Sequence, residues 1–377
     1  MKLAFYAPMK PPDHPTPSGD RRMSRLLWKA LENAGFDLEL ASSLRSLDTS
    51  GDALAQADNK RQGHAEAERL IEMWRADPSQ IPKGWFTYHV YHKSPDWIGP
   101  YVCEKLNIPY FIAEASHAPK QANGPWKPGY DAAAKAISQA ACVFHMTTLD
   151  GACLKPLIAD NNRLVFLPPF LDTDTFLDAA EENVTAEDLV VQAGGQRGRK
   201  NLLAVAMMRS GDKFVSYEQL CSVLPLLETE DWQLLIVGDG ERREAIETLL
   251  SPFADRIVYL GKQPAAMLPA FYKFADVYVW PAHGEAYGMA FLEAQVCGLP
   301  IVAGKIRGVP DVVKEGQTGL LTEEGDFGAF AKAVDFLLAS FSVRQKMSLA
   351  AQQFVRSERG LEKAAETLKH YIRQGLV

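Results

Sequence analysis

The sequence has little of what marks a secreted, membrane-spanning or metal-stapled chain. Its five cysteines among 377 residues (Cys103, Cys142, Cys153, Cys221, Cys297) are odd in number and form no C-x-x-C pair, which argues against a disulfide framework or a zinc ribbon and for a reducing cytoplasm. No apolar run approaches the roughly 18 residues of a membrane span; Leu3 to Ala7 stops at Pro8 and Val277 to Trp280 at Pro281. The first of these is also too short for a secretory signal. The eight histidines show neither H-x-x-x-H nor H-E-x-x-H spacing, so no histidine metal site is expected. Excess positive charge is absent as well. With 40 Lys and Arg against 47 Asp and Glu the net charge is −7, which offers nucleic acid no long-range attraction. An anionic ligand must then be held by a few local cations and backbone N–H groups. There is no G-x-x-x-x-G-K-[ST] phosphate loop, and the G-x-G of VGDGERR has Arg243 where a dinucleotide fingerprint needs a small residue. Neither triphosphate hydrolysis nor a nicotinamide cofactor is expected.

What is present is a steady alternation of short apolar runs and longer helical stretches, the pattern of βαβ units and parallel sheets. The fold class read from it is α/β. Strands are expected at Leu3 to Ala7, Trp85 to Tyr91, Tyr110 to Ala113, Ala141 to His145 and near Arg163 to Leu167. A second series is expected at Leu202 to Met208, Gln233 to Val237, Arg256 to Leu260, Val277 to Trp280 and Ile301 to Ala303, with helices between and from Phe327 onward. The segment LPPFLDTDTF (Leu167 to Phe176) breaks the pattern with two prolines and restarts it with an Asp and Thr cluster. It sets the expected boundary: a first domain over 1–170, a second over 171–355, and a terminal helix over 356–377 that packs back on the first. Two such halves place a ligand cleft at the carboxyl ends of the strands.

The most informative stretch is WPAHGEAYGMAFLEAQVCGLP (Trp280 to Pro300). A strand ends at Trp280, a loop carries Glu285, and a helix is expected from about Gly288 to Cys297, where Gly298 and Pro300 stop it. Glycine at a helix start lets a ligand approach, and the free N–H groups of Gly288 and Met289 at the positive end of the helix dipole suit a phosphate or a sugar oxygen. Glu285 stands before that N-terminus and Glu293 lies about 7.5 Å along the axis, so two carboxylates bracket one anion site. Taken alone, the pair reads more readily as a capping Glu285 and a solvated helix Glu293.

The same stretch resembles the E-x7-E signature of the retaining glycosyltransferases of family 4, which have the GT-B fold: two Rossmann-like domains whose parallel sheets face across a cleft. RGVPDVVKEGQTGLL (Arg307 to Leu321), LLIVGDGERREAI (Leu234 to Ile246) and VFLPPFLDTDTF (Val165 to Phe176) resemble further blocks of that family in the same order. The likeness covers the C-terminal half almost throughout and is thin in the N-terminal half. It implies that Arg209 and Lys213 of MMRSGDK clamp the donor's diphosphate, although the family usually separates its Arg and Lys by one residue more. It implies that Glu293 binds the ribose, that Glu285 with the amides of Tyr287, Gly288 and Met289 holds the donor sugar, and that Lys262 lies by the base. In PTPSGDRR, Gly19 corresponds to a glycine loop near the diphosphate, with Ser18 where a second glycine is common. His117, in FIAEASHAP, corresponds to a histidine beside the reacting sugar.

The implied activity is retaining transfer of a sugar from a UDP or GDP sugar to a hydroxyl acceptor, a glycan, lipopolysaccharide or glycolipid precursor, with no cofactor and no divalent metal. The alternatives are a nucleotide-sugar epimerase of the same fold and a non-catalytic nucleotide-sugar-binding protein. Arg21, Arg22, Arg25 and Lys29 share one segment with Met23, Leu26, Leu27 and Trp28. Its plain reading is a surface helix with a core face; its other reading is weak peripheral contact with the inner face of an anionic membrane.

Overall fold

The computed structural model describes residues 1–16, 18–158, 160–178 and 185–376. The chain divides into two compact units, one formed by Met1–Pro168 with Leu361–Val377, the other by Pro169–Gly360.

Unit 1 runs β1 (Lys2–Tyr6), α1 (Gly19–Asn33), β2 (Asp37–Ser42), α2 (Ala53–Ala76), β3 (Gly84–Val90), α3 (Gly99–Leu106), β4 (Tyr110–Ala115), α4 (Lys127–Gln139), β5 (Cys142–His145), α5 (Thr148–Leu154) and β6 (Leu164–Phe166). Its six strands form one sheet in the order β2-β1-β3-β4-β5-β6, with every pairing parallel. Parallel strands covered by helices are buried on both faces, and β1 and β3 accordingly carry Leu3, Phe5, Trp85 and Phe86 with no exposure.

Unit 2 runs α6 (Thr173–Asp178), α7 (Ala186–Gln192), β7 (Lys200–Val205), α8 (Asp212–Val223), β8 (Trp232–Val237), α9 (Arg243–Leu250), β9 (Ile257–Gly261), α10 (Leu268–Phe274), β10 (Val277–Trp280), α11 (Met289–Val296), β11 (Ile301–Gly304), α12 (Val309–Val312), β12 (Gly319–Thr322), α13 (Phe327–Ala339) and α14 (Phe341–Glu358). Its sheet is again parallel, in the order β12-β11-β10-β7-β8-β9. The chain leaves β7 toward β8 and β9, then returns to the other side of β7 as β10. That reversal is a topological switch point, where open α/β sheets leave a crevice outside the strand ends.

The last helix, α15 (Leu361–Gly375), belongs to unit 1 and packs along α1. Leu361, Ala364, Ala365, Leu368 and Ile372 recur at helical spacing and are its buried face. The expected start of that helix at 356 falls inside α14, which continues to Glu358; the break comes where Gly360 bridges Leu171. The observed border at Pro168 lies just before the expected one at 170.

Other expectations shift for local reasons. The edge strand β2 was not expected, because DLELAS mixes acids with its apolar residues and only its last two positions are buried. The strand expected over Leu202 to Met208 ends at Val205, and Lys213 sits in the first turn of α8 rather than in a loop. In α1 the Ser18 hydroxyl accepts from the Arg21 amide at 3.2 Å, so the serine that replaces a second glycine is a helix cap. Pro17 of that loop lies outside the described residues. Two of the four cations of α1 fasten the preceding loop: the Arg21 guanidinium donates to the carbonyls of His14 and Pro15, and Arg25 Nε donates to that of Pro12 at 2.7 Å.

Candidate functional site

Two loops at the switch point of unit 2 supply the site. After β7, residues 206–211 lead into α8 and carry Arg209, with Lys213 one turn on; after β10, residues 281–288 carry Glu285. Together they line a pocket of about 260 Å³, walled by Met207, Arg209, Ser210, Asp212, Lys213, His283, Gly284 and Glu285.

The first loop is held by its neighbour. Beyond the last rung of the ladder, Val205 opposite Val237, the Met208 amide donates to the Asp239 carbonyl and the Arg242 amide donates to that of Met208, each at 3.0 Å. Glu241 Oε1 accepts from the Ser210 amide at 2.9 Å and Arg242 Nε donates to Ser210 Oγ at 3.0 Å. This close approach is what the G-x-G of VGDGERR is for. Gly238 has φ +150°, and a Cβ there would lie 1.8 Å from the Ala206 carbonyl oxygen. The glycines serve loop packing, in keeping with a sequence that lacks the rest of a dinucleotide fingerprint. Glu241 is held below the ordinary carboxylate range chiefly by the Ser210 amide, with Arg209 adding to it.

Inside the pocket Lys213 Nζ pairs with Glu285 Oε2 and lies 5.5 Å from the Trp280 ring centroid. Trp280 in turn packs edge-on against Tyr217, whose hydroxyl donates to the Ala206 carbonyl at 3.1 Å. The side chains of Lys213 and Glu285 keep 29% and 18% of their surface. The pair is therefore half-buried yet reachable, and a diphosphate would compete with Glu285 for the ammonium. Arg209 is exposed at the rim.

Gly288, the residue before α11, has φ +78° and no capping side chain. A Cβ there would come within 2.6 Å of the Phe291 ring, so the turn into α11 admits only glycine without repacking. Tyr287 and Met289 flank it and pack partly against the core. Glu293 is no solvated helix position. It is 3% exposed, and its Oε2 accepts from the Tyr272 hydroxyl at 2.8 Å. The two acids of the E-x7-E pair remain related through Tyr278: its phenol is pushed well up, first by burial, then by Glu285 and also by Glu293.

The structure thus gathers Arg209, Lys213 and Glu285 in one pocket. Gly288 and Met289 stand at the helix start beyond it, Glu293 lies in the interior, and Lys262 is exposed just after β9. Gly19 and His117 belong to unit 1. Gly19 opens α1, and a Cβ there would meet no protein atom within 4 Å, so packing within the chain does not require a glycine. His117 follows β4, stacks on Tyr130 with centroids 5.2 Å apart, and shares a 2.8 Å hydrogen bond between its Nε2 and the Tyr130 hydroxyl. Burial holds its imidazole below the ordinary value. Sequence reasoning missed three residues of unit 2. Asp212 and His283 line the pocket beside Lys213 and Glu285, and His283 Nδ1 lies 2.6 Å from Glu324 Oε1. Arg307, with φ +44°, donates to the Gly284 carbonyl at 2.9 Å and braces the Glu285 loop. The only sequence signal for His283 and Asp212 is adjacency to expected site residues.

With this geometry in place, residues 199–340 match the family model described as Glycosyl transferases group 1. The matched segment lies within unit 2 and makes up less than half of the chain. The matched residues include both pocket loops and the whole of the E-x7-E stretch. Over 202 residues the chain is 32% identical to the GDP-mannose-dependent alpha-(1-6)-phosphatidylinositol monomannoside mannosyltransferase of Mycolicibacterium smegmatis, covering 51% of each chain. It spans about half the length of the curated relatives it matches. Sucrose-phosphate synthase from Thermosynechococcus elongatus superimposes with a TM-score of 0.71 at 19% identity, covering 99% of this chain and 98% of that one. Anabaena HepE in complex with UDP-glucose gives 0.69 at 12% identity, covering 99% and 100%. The fold is GT-B, with unit 2 as its second Rossmann-like unit.

Proposed function

We propose that the chain is a retaining glycosyltransferase that moves a sugar from a nucleoside diphosphate sugar to a hydroxyl acceptor, a glycan or glycolipid precursor, without a divalent metal. The observation that carries this is the convergence of Arg209, Lys213 and Glu285 on one pocket at the switch point of unit 2, within the segment that matches the group 1 family model. Breaking the anomeric bond leaves negative charge on the diphosphate and positive charge on the sugar. Arg209 and Lys213 meet the first, and Glu285, displaced from Lys213 by the phosphate, steadies the second. Acceptor attack on the same face lets the departing phosphate oxygen take the acceptor's proton, so atoms and charge balance without an added base. The relatives' printed donor and acceptor, GDP-mannose and a phosphatidylinositol mannoside, support a sugar nucleotide and a polyol-bearing acceptor here. Glu293 acts through the interior: its bond to Tyr272 fixes α11 against α10, and with them the turn that presents Gly288 and Met289.

The test is a thermal-shift screen with UDP, GDP and ADP, followed by product analysis with the matching sugar nucleotides. One diphosphate should stabilise the protein, by about 2.7 kcal/mol at 100 times its dissociation constant. The transferred sugar should keep its anomeric configuration in the presence of EDTA. No stabilisation by any of the three sinks the reading. Loss of turnover in EDTA, or an inverted product, sinks its metal-free or retaining part.

A further inference from the structure

At the carboxyl end of the unit 1 sheet lies a group of ionisable side chains that the sequence did not point to. His89 on β3 and Glu114 on β4 occupy the same rung, between the paired residues Tyr88 opposite Ala113 and Val90 opposite Ala115. Both have left-handed backbones, with φ +65° and +58°. Non-glycine residues in that region cost of order 1–3 kcal/mol each and gather where a site needs them. Asp20, in the first turn of α1, completes the group. His89 Nδ1 is 3.2 Å from Asp20 Oδ1 and 3.8 Å from Glu114 Oε1. A carboxylate on Nδ1 fixes the tautomer in which Nδ1 carries the proton and Nε2 keeps its lone pair. Among the described residues Nε2 has no hydrogen-bond partner, and the side chain retains 17% of its surface. The Tyr91 ring lies 5.1 Å from the imidazole.

The surroundings decide what such a nitrogen can take. Asp20, Glu114 and, from α5, Asp150 face His89, with Lys10 acting on Asp20 and the phenols of Tyr88 and Tyr91 alongside. A net acidic neighbourhood repels phosphate, while carboxylates and an imidazole lone pair beside an aromatic ring suit the hydroxyls of an uncharged sugar or cyclitol. Resting on the glycosyl-transfer reading, we infer that His89 is an acceptor-binding residue, its Nε2 accepting a hydrogen bond from a hydroxyl of a neutral polyol, with Asp20 and Glu114 as the residues that position the ring. Burial alone would depress the His89 pKa, but Glu114 and Asp20 outweigh it and hold it above the ordinary 6.5. Below that ionisation Nε2 is protonated and cannot accept, so polyol binding strengthens as pH rises through it.

The experiment uses the full chain with 15N-labelled histidine and the probes myo-inositol and methyl α-D-mannoside. At least one probe should shift the His89 Nε2 resonance and lower its titration midpoint. His89→Asn, whose side chain tolerates the left-handed backbone, should weaken that polyol's binding about tenfold. Asp20→Asn should weaken it less and shift the pH dependence. If neither probe moves the His89 resonance up to 100 mM (about the reach of such a titration, −1.4 kcal/mol of binding at a molar standard state), or if His89→Asn binds as wild type, the inference is overturned. UDP and GDP added to the same sample separate the two readings. Stabilisation by a nucleotide with an unmoved His89 removes only the acceptor assignment, and stabilisation by neither removes the donor reading.

Discussion

The two units share one scheme, a six-stranded parallel sheet sheathed in helices, yet the carboxyl ends of their sheets are furnished in opposite ways. In unit 2, glycines press loops together so that Arg209 and Lys213 line one pocket, where Lys213 is paired with Glu285. In unit 1 the backbone bends into left-handed conformations at non-glycine residues, and the group it assembles is one imidazole among carboxylates. The topology provides the place in both cases, and the local charge selects the guest. On the proposed reading the first takes a diphosphate and the second takes hydroxyls.

The sharpest break in this comparison is Glu285→Ala. It should lower turnover by about 10²–10³, the usual loss when one preorganised electrostatic partner is removed. It should leave nucleoside diphosphate affinity equal or improved, because Lys213 is freed for phosphate; steady-state kinetics with calorimetry of the diphosphate reads both. Arg209→Ala should weaken diphosphate binding by about 2 kcal/mol, the scale of one hydrogen bond to a charged group, and leave the His89 titration unmoved. Equal affinity in that variant would strike Arg209 from the clamp. Gly288→Ala should cost about 2 kcal/mol of folding stability in denaturant titration, from its positive φ and the Phe291 ring. Gly19→Ala, at a position where a Cβ meets nothing, should cost nothing measurable.

The smallest measurable effect is a slope. His89 and Glu114 both have folded pKa values raised above their ordinary ones. Such groups stabilise the fold fully below their unfolded pKa values and lose that contribution as pH rises through the folded ones. For His89 the loss begins near its unfolded value of 6.5 and continues above it. Melting followed across neutral pH should therefore show a decline that His89→Asn flattens; an unchanged slope in that variant would mean that the imidazole is not held by its acids.

How much of this was legible in the sequence follows from how far each feature depends on neighbours in the chain. The strands of unit 2 were plain because a run such as WQLLIV is buried on both faces, and the turn into α11 was plain because glycine, glutamate and a following helix lie within one stretch. Edge strand β2 was hidden by its acids. Glu293 was expected to face the cleft and bind the ribose, and its interior position beside the distant Tyr272 could not be read from the helix alone. The His89 group was invisible for the same reason: Asp20, His89 and Glu114 come from three separate elements, with no spacing rule to join them.

The placement of α15 carries a consequence for the order in which the protein can be made. Because that helix closes the core of unit 1, the half of the chain synthesised first stays unfinished until residues 361–376 have emerged, by which time all of unit 2 is available to fold. The ribosome therefore releases a second unit that can mature on its own and a first unit that must wait. Nascent chains halted before Leu361 should expose the apolar flank of α1 to chaperones.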